Sequence, residues 1–98
     1  MNPGNPTGQV LTEKAIGEIC RFAVDHHLIV FADEVYQKNI FSATKKFTSF
    51  RKVRDLLPAP YNELELLSFH STSKGLYGEC GLRGGYLEMA GIGQDLYD

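Results

Sequence analysis

A carboxylate and a lysine each come after a segment that is apolar enough to form a buried strand. Asp33 follows directly on residues 28–32, and Lys74 comes shortly after residues 64–70. Because ligands of open α/β sheets bind outside the carboxyl ends of the strands, we expect both side chains at one edge of the sheet. Partial desolvation at such an edge makes a lysine amine available as a nucleophile. The pair therefore suggests chemistry by an amine beside a carboxylate.

Each of these residues, taken alone, also has an ordinary structural interpretation. Asp33 could be a helix cap or a solvated strand end, and Lys74, which precedes a glycine, could simply be exposed. Three further polar residues are similarly ambiguous. Asn5 precedes a proline and fits a turn, Tyr36 could be a core aromatic residue, and Arg83 could be a solvated loop arginine.

Polar residues around the second apolar segment could likewise be functional or simply structural. Ser71 and Ser73 would ordinarily be hydroxyls at the end of a strand, and His70 a strand-end histidine whose hydrogen bonds are satisfied. His26 and His27 have no companions at metal-ligand spacing, and neither has His70. No metal site is therefore predicted.

The helices and strands that must position these residues can be predicted from turn formers, helix caps and apolar periodicity. Residues 2–8 are a dense run of turn formers, which excludes a helix or a strand interior. A helix is predicted from about Thr12, its N-cap, to residues 26–27. The apolar stripe of this helix has the spacing i, i+3, i+4, i+7 and comprises Ile16, Ile19, Cys20 and Ala23.

Three strands and a second helix complete the pattern. Residues 28–32 form a continuous apolar run, which is typical of a parallel strand buried on both faces. Residues 64–70 and 86–89 are predicted to be strands, and residues 49–57 a short helix that Pro58 stops. Strands, helices and long connections alternate, so the fold class is α/β.

Length and composition narrow the possible functions. With 98 residues, the chain has room for one domain with one modest core. The net charge of −2 and the lack of a Lys/Arg cluster argue against a nucleic-acid partner, and no apolar run approaches the roughly 18 residues of a membrane helix. Cys20 and Cys80 are far apart, which fits a reduced compartment. We therefore expect a cytoplasmic location or, alternatively, the mitochondrial matrix.

Four segments, in order along the chain, carry a resemblance to a known family. They are residues 2–8 (NPGNPTG), 32–36 (ADEVY), 71–75 (STSKG) and 81–86 (GLRGGY). In sequence and order they resemble the motifs of fold-type I aminotransferases that depend on pyridoxal 5′-phosphate. Residues 73–81 (SKGLYGECG) resemble the alanine aminotransferase subgroup in particular. The resemblance covers nearly the whole chain.

The resemblance implies a binding site for pyridoxal 5′-phosphate. Its residues would be Asn5, Asp33, Tyr36, Ser71, Ser73, Lys74 and Arg83. Lys74 matches the lysine that forms a Schiff base with the cofactor and then moves protons during the reaction. Asp33 matches the acid that keeps the pyridine nitrogen protonated, so that the ring can accept electrons.

The other five residues match groups that hold the polar substituents of the cofactor. Asn5 and Tyr36 match the donors to its 3′-oxygen. Ser71, Ser73 and Arg83 match its phosphate ligands, and a guanidinium suits bidentate contact with phosphate. Arg83 lies one residue further from the lysine than in most class I aminotransferases. The alanine subgroup has the same longer loop.

The resemblance also implies a larger protein and its reaction. The fold would be the large domain of an aspartate aminotransferase-like enzyme, with a mostly parallel sheet and flanking helices. Residues 1–98 are expected to be a central fragment of that domain, truncated at both ends. The implied reaction converts L-alanine and 2-oxoglutarate, both small-molecule substrates, to pyruvate and L-glutamate in a homodimer. The isolated chain is expected to be inactive or weakly active.

Two alternatives to this reaction stay open. One is another aminotransferase or a lyase of the same fold. The other is a non-catalytic remnant that keeps the sheet but not the chemistry. The joint presence of Asn5, Asp33, Lys74 and Arg83 argues against the remnant, because a remnant has no physical need for all four.

Overall fold

The regular elements alternate between helix and strand up to the second strand. The computed structural model describes residues 1–96. The helices are α1 (Glu13–Asp25) and α2 (Phe50–Leu56), and the strands are β1 (Val30–Asp33), β2 (Leu66–Ser71) and β3 (Gly85–Ala90). Short 3-10 turns occur at Tyr61–Glu63, Cys80–Leu82 and Gln94–Leu96. The predicted α/β class is confirmed.

Helix α1 begins where its capping residue predicts. The Thr12 hydroxyl accepts a hydrogen bond from the Ala15 amide at 3.1 Å, which satisfies one of the free amides of the first turn. Ile16, Cys20 and Ala23 are buried as predicted, but Ile19 is 39% exposed. The prediction for Ile19 is wrong.

Gly17 takes the place of Ile19 on the buried face of α1. A Cβ built on Gly17 would lie 3.8 Å from Cγ1 of Val53, so this side of α1 lies against α2. The buried stripe thus turns toward α2, and Ile19 is left at its outer border.

Helix α2 also begins after a capping side chain, and a proline ends it. The Ser49 hydroxyl accepts a hydrogen bond from the Lys52 amide at 3.1 Å. Leu57 has an extended backbone (φ −75°, ψ 152°), because a residue before proline is kept out of the helical conformation. The predicted short helix that stops at Pro58 is confirmed.

The sheet has the order β1-β2-β3 and is mixed. Strands β1 and β2 are parallel, with Val30 opposite Leu66, whereas β2 and β3 are antiparallel, with His70 opposite Tyr86. The described sheet is therefore not mostly parallel. The physical reason lies in residues 72–84, a loop without a crossover helix, which returns the chain alongside β2 in the opposite direction.

Successive side chains of each strand point to opposite faces of the sheet. Ala32 and Leu66 are buried together with core residues of both helices. On the other face, Phe31 is 66% exposed and Leu87 is 44% exposed. The prediction that the first strand is buried on both faces is wrong for residues 1–96, in which the helices cover one face. Neither described helix is long and apolar enough to cross a bilayer.

Gly85, the first residue of β3, is expected to tolerate no side chain. A Cβ at this position would lie 2.5 Å from the carbonyl oxygen of His70, which is backbone and cannot move aside. We expect Gly85→Ala to lower the free energy of unfolding by about 1–3 kcal/mol, as measured by urea denaturation. Gly81→Ala is the matched control, since its Cβ would meet nothing within 4 Å. Equal stability of the two variants would contradict this packing.

A pH dependence of stability is expected from Asp55 on α2. Desolvation alone would raise the pKa of Asp55, but hydrogen bonds of 2.7 Å from Arg51 and from Arg54 outweigh it and hold the pKa below its ordinary value. A lowered carboxyl pKa stabilises the fold above the ordinary pKa of about 4, and this stabilisation is lost as the pH falls through the lowered pKa. Asp55→Asn should therefore destabilise the protein at neutral pH, and the difference should shrink on acidification. A difference in unfolding free energy that stays constant with pH would contradict this role.

Candidate functional site

The candidate site lies at the edge of the sheet where β1 and β2 end and β3 begins. The parallel register places Asp33 opposite Phe69, and the Glu34 amide donates to the Phe69 carbonyl at 3.2 Å. Because β3 is antiparallel, its first residue Gly85 pairs with Ser71, the last residue of β2. Three chain segments that are distant in sequence therefore meet at this edge.

The amino-terminal turn is attached to the same edge. The Asn2 amide donates to the Asp33 carbonyl at 2.9 Å. The Asn2 side chain is only 1% exposed, and its Oδ1 accepts a hydrogen bond from the Leu11 amide at 2.9 Å. Asn2 thus fixes both ends of the turn that carries Asn5. Sequence reasoning did not single out Asn2, although its place at the start of a proline-rich turn was a usable signal.

Asn5 and Tyr36 are brought together across 31 positions of the chain. The Asn5 Nδ2 donates to the Tyr36 hydroxyl at 3.5 Å. Both residues line a cleft of about 170 Å³ together with Asn39 and Phe41. The Oδ1 of Asn39 is buried without a hydrogen-bond partner among the described residues. The cleft therefore offers polar groups that a bound molecule could use.

Ser71, Ser73 and Arg83 form a second polar group at the edge. The Ser73 amide donates to the Ser71 hydroxyl at 3.0 Å, and the Arg83 Nη1 donates to the Ser73 hydroxyl at 3.4 Å. Arg83 follows the 3-10 turn Cys80–Leu82 and has a left-handed backbone (φ 47°). Its Nη1 also donates to the Cys80 carbonyl at 3.1 Å. The guanidinium thus contacts the hydroxyl of Ser73, whose amide is bonded to Ser71.

Lys74 is exposed and lies one residue beyond Ser73. It lines a cavity of about 90 Å³ with Val35, His70 and other residues of the two loops. The following residue, Gly75, has a positive φ of 66°, and a Cβ there would lie 3.0 Å from the carbonyl oxygen of Val35. The lysine loop therefore lies against the turn that begins after β1. Asp33 is the last residue of β1, and Lys74 follows the end of the neighbouring parallel strand β2 by three residues.

His70 differs from its predicted description as a satisfied strand-end histidine. Its Nδ1 is buried and has no hydrogen-bond partner within residues 1–96. The imidazole packs against the ring of Tyr86, with 5.1 Å between the ring centroids. His70 also lines the cavity that contains Lys74.

The donor set of this edge fits a phosphorylated pyridine aldehyde. The hydroxyls of Ser71 and Ser73 and the guanidinium of Arg83 could bind a phosphate. The Asp33 carboxylate could bind a protonated ring nitrogen, and the Lys74 amine could react with an aldehyde. No cluster of three or more metal-binding side chains occurs in the described part of the chain.

The fold and the site define an α/β protein with polar loops gathered at the carboxyl edge of its parallel strands. Residues 1–89 match the family described as aminotransferase class I and II. The chain therefore belongs to this family, which confirms the resemblance found in the sequence.

Curated relatives extend the similarity over almost the whole chain. Human (Homo sapiens) alanine aminotransferase 1 is 53% identical over 94% of the chain. Glutamate–glyoxylate aminotransferase 2 of Arabidopsis thaliana is also 53% identical over 94%, and the mitochondrial alanine aminotransferase 1 of the same plant is 49% identical over 98%. The chain covers only 18–19% of these proteins, so it spans about a fifth of their length.

Solved structures show the same fold. An aminotransferase from Escherichia coli superposes with a TM-score of 0.78 at 32% identity, over 96% of this chain and 21% of that one. An alanine aminotransferase from Pyrococcus furiosus gives a TM-score of 0.73 at 25% identity, over 98% of this chain and 22% of that one. The expected aspartate aminotransferase-like architecture is thereby confirmed.

Proposed function

We propose that a protein containing this segment is an aminotransferase that uses pyridoxal 5′-phosphate and carries its reactive amine on Lys74. The observation that supports this proposal most strongly is the meeting of four polar segments at one sheet edge. Two side-chain contacts lie within that edge: Asn5 contacts Tyr36, 31 positions away, and Ser73 contacts Arg83 across the loop between β2 and β3. A structural remnant has no need for this arrangement.

Lys74 and Asp33 are proposed to carry the chemistry. Pyridoxal 5′-phosphate, when bound, supplies an aldehyde that takes up the amino group of the substrate and a ring that accepts electrons. The Nζ of Lys74 would hold and release the proton that moves during amino-group transfer. The carboxylate of Asp33 would keep a proton on the ring nitrogen, since a negative charge within a few Å favours the protonated form.

The other residues are proposed to bind and orient. Ser71, Ser73 and Arg83 would bind phosphate, where the flat guanidinium can donate two parallel hydrogen bonds. Asn5 and Tyr36 would donate to the oxygen on the ring. By holding the ring and the phosphate together, these residues would restrict the motion of the cofactor relative to the Lys74 amine, which would lower the entropic part of the barrier.

The proposed substrates are L-alanine and 2-oxoglutarate. The subgroup motif at residues 73–81 and the alanine aminotransferases among the relatives support this choice. Glyoxylate is a second candidate acceptor, because the Arabidopsis glutamate–glyoxylate aminotransferase is as similar as the human alanine enzyme. Since the chain spans about a fifth of these relatives, both reactions are proposed for a whole protein of their length. A homodimer and a cytoplasmic or, alternatively, mitochondrial location are proposed for the same protein.

Half-reactions with separate substrates test this proposal. The cofactor-loaded protein that contains the segment is mixed with L-alanine alone, and pyruvate is measured. It is then reisolated and mixed with 2-oxoglutarate or with glyoxylate. We expect pyruvate in the first step and a faster second step with 2-oxoglutarate. Formation of no oxo acid from any amino donor would contradict the proposed activity, and a faster second step with glyoxylate would favour the second candidate.

A further inference from the structure

Glu34 is a buried carboxyl that the proposed chemistry does not use. It comes directly after β1, between Asp33 and the turn that carries Tyr36, and it is only 2% exposed. An acidic side chain is almost never this buried unless its oxygens are hydrogen-bonded. The partners of Glu34 therefore indicate what it does.

Both oxygens of Glu34 bind groups on other elements. Its Oε1 accepts a hydrogen bond of 2.7 Å from the Phe50 amide, and its Oε2 accepts one of 2.8 Å from the Ser68 hydroxyl. Phe50 is the first residue of α2, so its amide has no partner within the helix. Ser68 lies in the middle of β2 and is buried. One side chain thus joins the end of β1 to β2 and to α2.

The backbone of Glu34 extends this connection to the site. Its amide donates to the Phe69 carbonyl at 3.2 Å, and its carbonyl accepts from the Gln37 amide at 3.2 Å. The second of these bonds closes the turn that contains Tyr36. Asp33 precedes Glu34 directly. Asp33 is proposed to contact the ring nitrogen of the cofactor and Tyr36 the ring oxygen. Both residues therefore flank one anchored residue in the chain.

We infer that Glu34 is a positioning residue, which fixes Asp33 and Tyr36 for the cofactor by anchoring the end of β1 to Ser68 and to the first turn of α2. The inference rests on the proposed function. Strand β1 pairs with β2 only, within the described residues, and Asp33 is its last residue. The side-chain bonds of Glu34 hold the strand end from the helix side, and strand alternation places Asp33 on the opposite face of the sheet.

The test compares Glu34→Gln with core variants on another element. Glu34→Gln keeps the size of the side chain but sets an amide nitrogen against one of the two donors. Loss of a supporting hydrogen bond behind a binding residue commonly weakens binding by about 10- to 100-fold, as is known for the outer partners of metal ligands. We expect the dissociation constant for pyridoxal 5′-phosphate to rise at least about tenfold, and the absorption spectrum of the bound cofactor to change. Ile16→Val and Ile16→Ala bracket the loss of stability, since Ile16 is fully buried on α1.

Each outcome either supports or overturns the inference that Glu34 is a positioning residue. If Glu34→Gln has the same cofactor affinity and spectrum as an Ile16 variant of equal stability, the inference is overturned. If Glu34→Gln does not fold, Ser68→Ala decides instead: weaker binding with a changed spectrum supports the inference, and unchanged binding overturns it.

A measurement without cofactor separates this inference from the proposed function. The hydrogen-exchange rate of the Gln37 amide, which closes the Tyr36 turn, is measured in the cofactor-free protein. Glu34→Gln should accelerate this exchange more than the Ile16 variant of equal stability, and equal rates would overturn the inference. If the unmodified protein binds no pyridoxal 5′-phosphate at all, the proposed function fails, and the exchange rates still test whether Glu34 holds the turn.

Discussion

Replacement of Lys74 by alanine is expected to lower turnover with L-alanine and 2-oxoglutarate by about 10²- to 10⁴-fold or more. The variant would lose the amine that transfers the proton, whereas Ser71, Ser73 and Arg83 would still bind phosphate. Cofactor affinity should therefore fall much less than kcat. Single-turnover formation of pyruvate measures the chemical step, and equilibrium dialysis measures binding of the cofactor.

Lys38→Ala is the matched control for this experiment. Lys38 is exposed and lines the same cavity as Lys74, so its removal tests whether the loss of any amine from this cavity lowers turnover. We expect Lys38→Ala to retain most of the turnover. Full activity of Lys74→Ala, or an equal loss in both variants, would contradict the proposed role of Lys74.

Asp33→Asn is expected to have the second-largest effect, a fall in kcat of about 10²- to 10³-fold. Asparagine has nearly the same shape, and its side-chain oxygen can still accept the hydrogen bond that Asp33 Oδ1 accepts from the Val35 amide at 3.4 Å. The backbone should therefore stay in place. What is lost is the negative charge that keeps a proton on the ring nitrogen of the cofactor.

Steady-state kinetics and calorimetric unfolding of Asp33→Asn show whether a fall in kcat comes from the lost charge or from a less stable fold. The unfolding temperature should stay close to that of the unmodified protein. Asp25→Asn, which changes an exposed carboxylate at the end of α1, is the control and should keep its kcat. A kcat for Asp33→Asn near that of the control would show that the charge at position 33 does not serve the reaction.

The helix boundaries could be predicted because local chemistry determines them. Thr12 and Ser49 each accept a hydrogen bond from the amide of the third residue of a helix, and Pro58 disfavours a helical conformation at Leu57. The strands could also be predicted from local sequence, because a short apolar run between turn formers can form few structures other than a strand. These features depend on residues within a few positions of one another.

Features that depend on distant partners could not be predicted in this way. Ile19 fits the helical period, but the position of α2 decides that Gly17 is buried instead. The antiparallel direction of β3 depends on the path of a long loop, which its sequence does not specify. Phe31 lies in an apolar run, but the number of layers that cover a sheet does not follow from one strand.

The sequence motifs named candidate residues for the site, but they could not give the geometry of these residues. The ordered motifs pointed to Asn5, Tyr36, Ser73 and Arg83. The contact of Asn5 with Tyr36 arises only when the amino-terminal turn meets the turn after β1, and that of Ser73 with Arg83 only when the loop between β2 and β3 folds back on itself. Glu34 was missed because it stands between two recognisable residues. Strand alternation was the signal that could have found it, since Glu34 falls on the same side of β1 as the buried Ala32.

Covalent trapping tests the proposed role of Lys74 most directly. The protein that contains this segment is incubated with pyridoxal 5′-phosphate, reduced with borohydride at a stoichiometric cofactor ratio, digested, and mapped by mass spectrometry. We predict that the cofactor is attached to Lys74 and that Lys74→Ala abolishes the modification without transferring it to another lysine. Attachment spread over the exposed lysines, or no attachment at position 74, would contradict the proposal that this amine carries the chemistry.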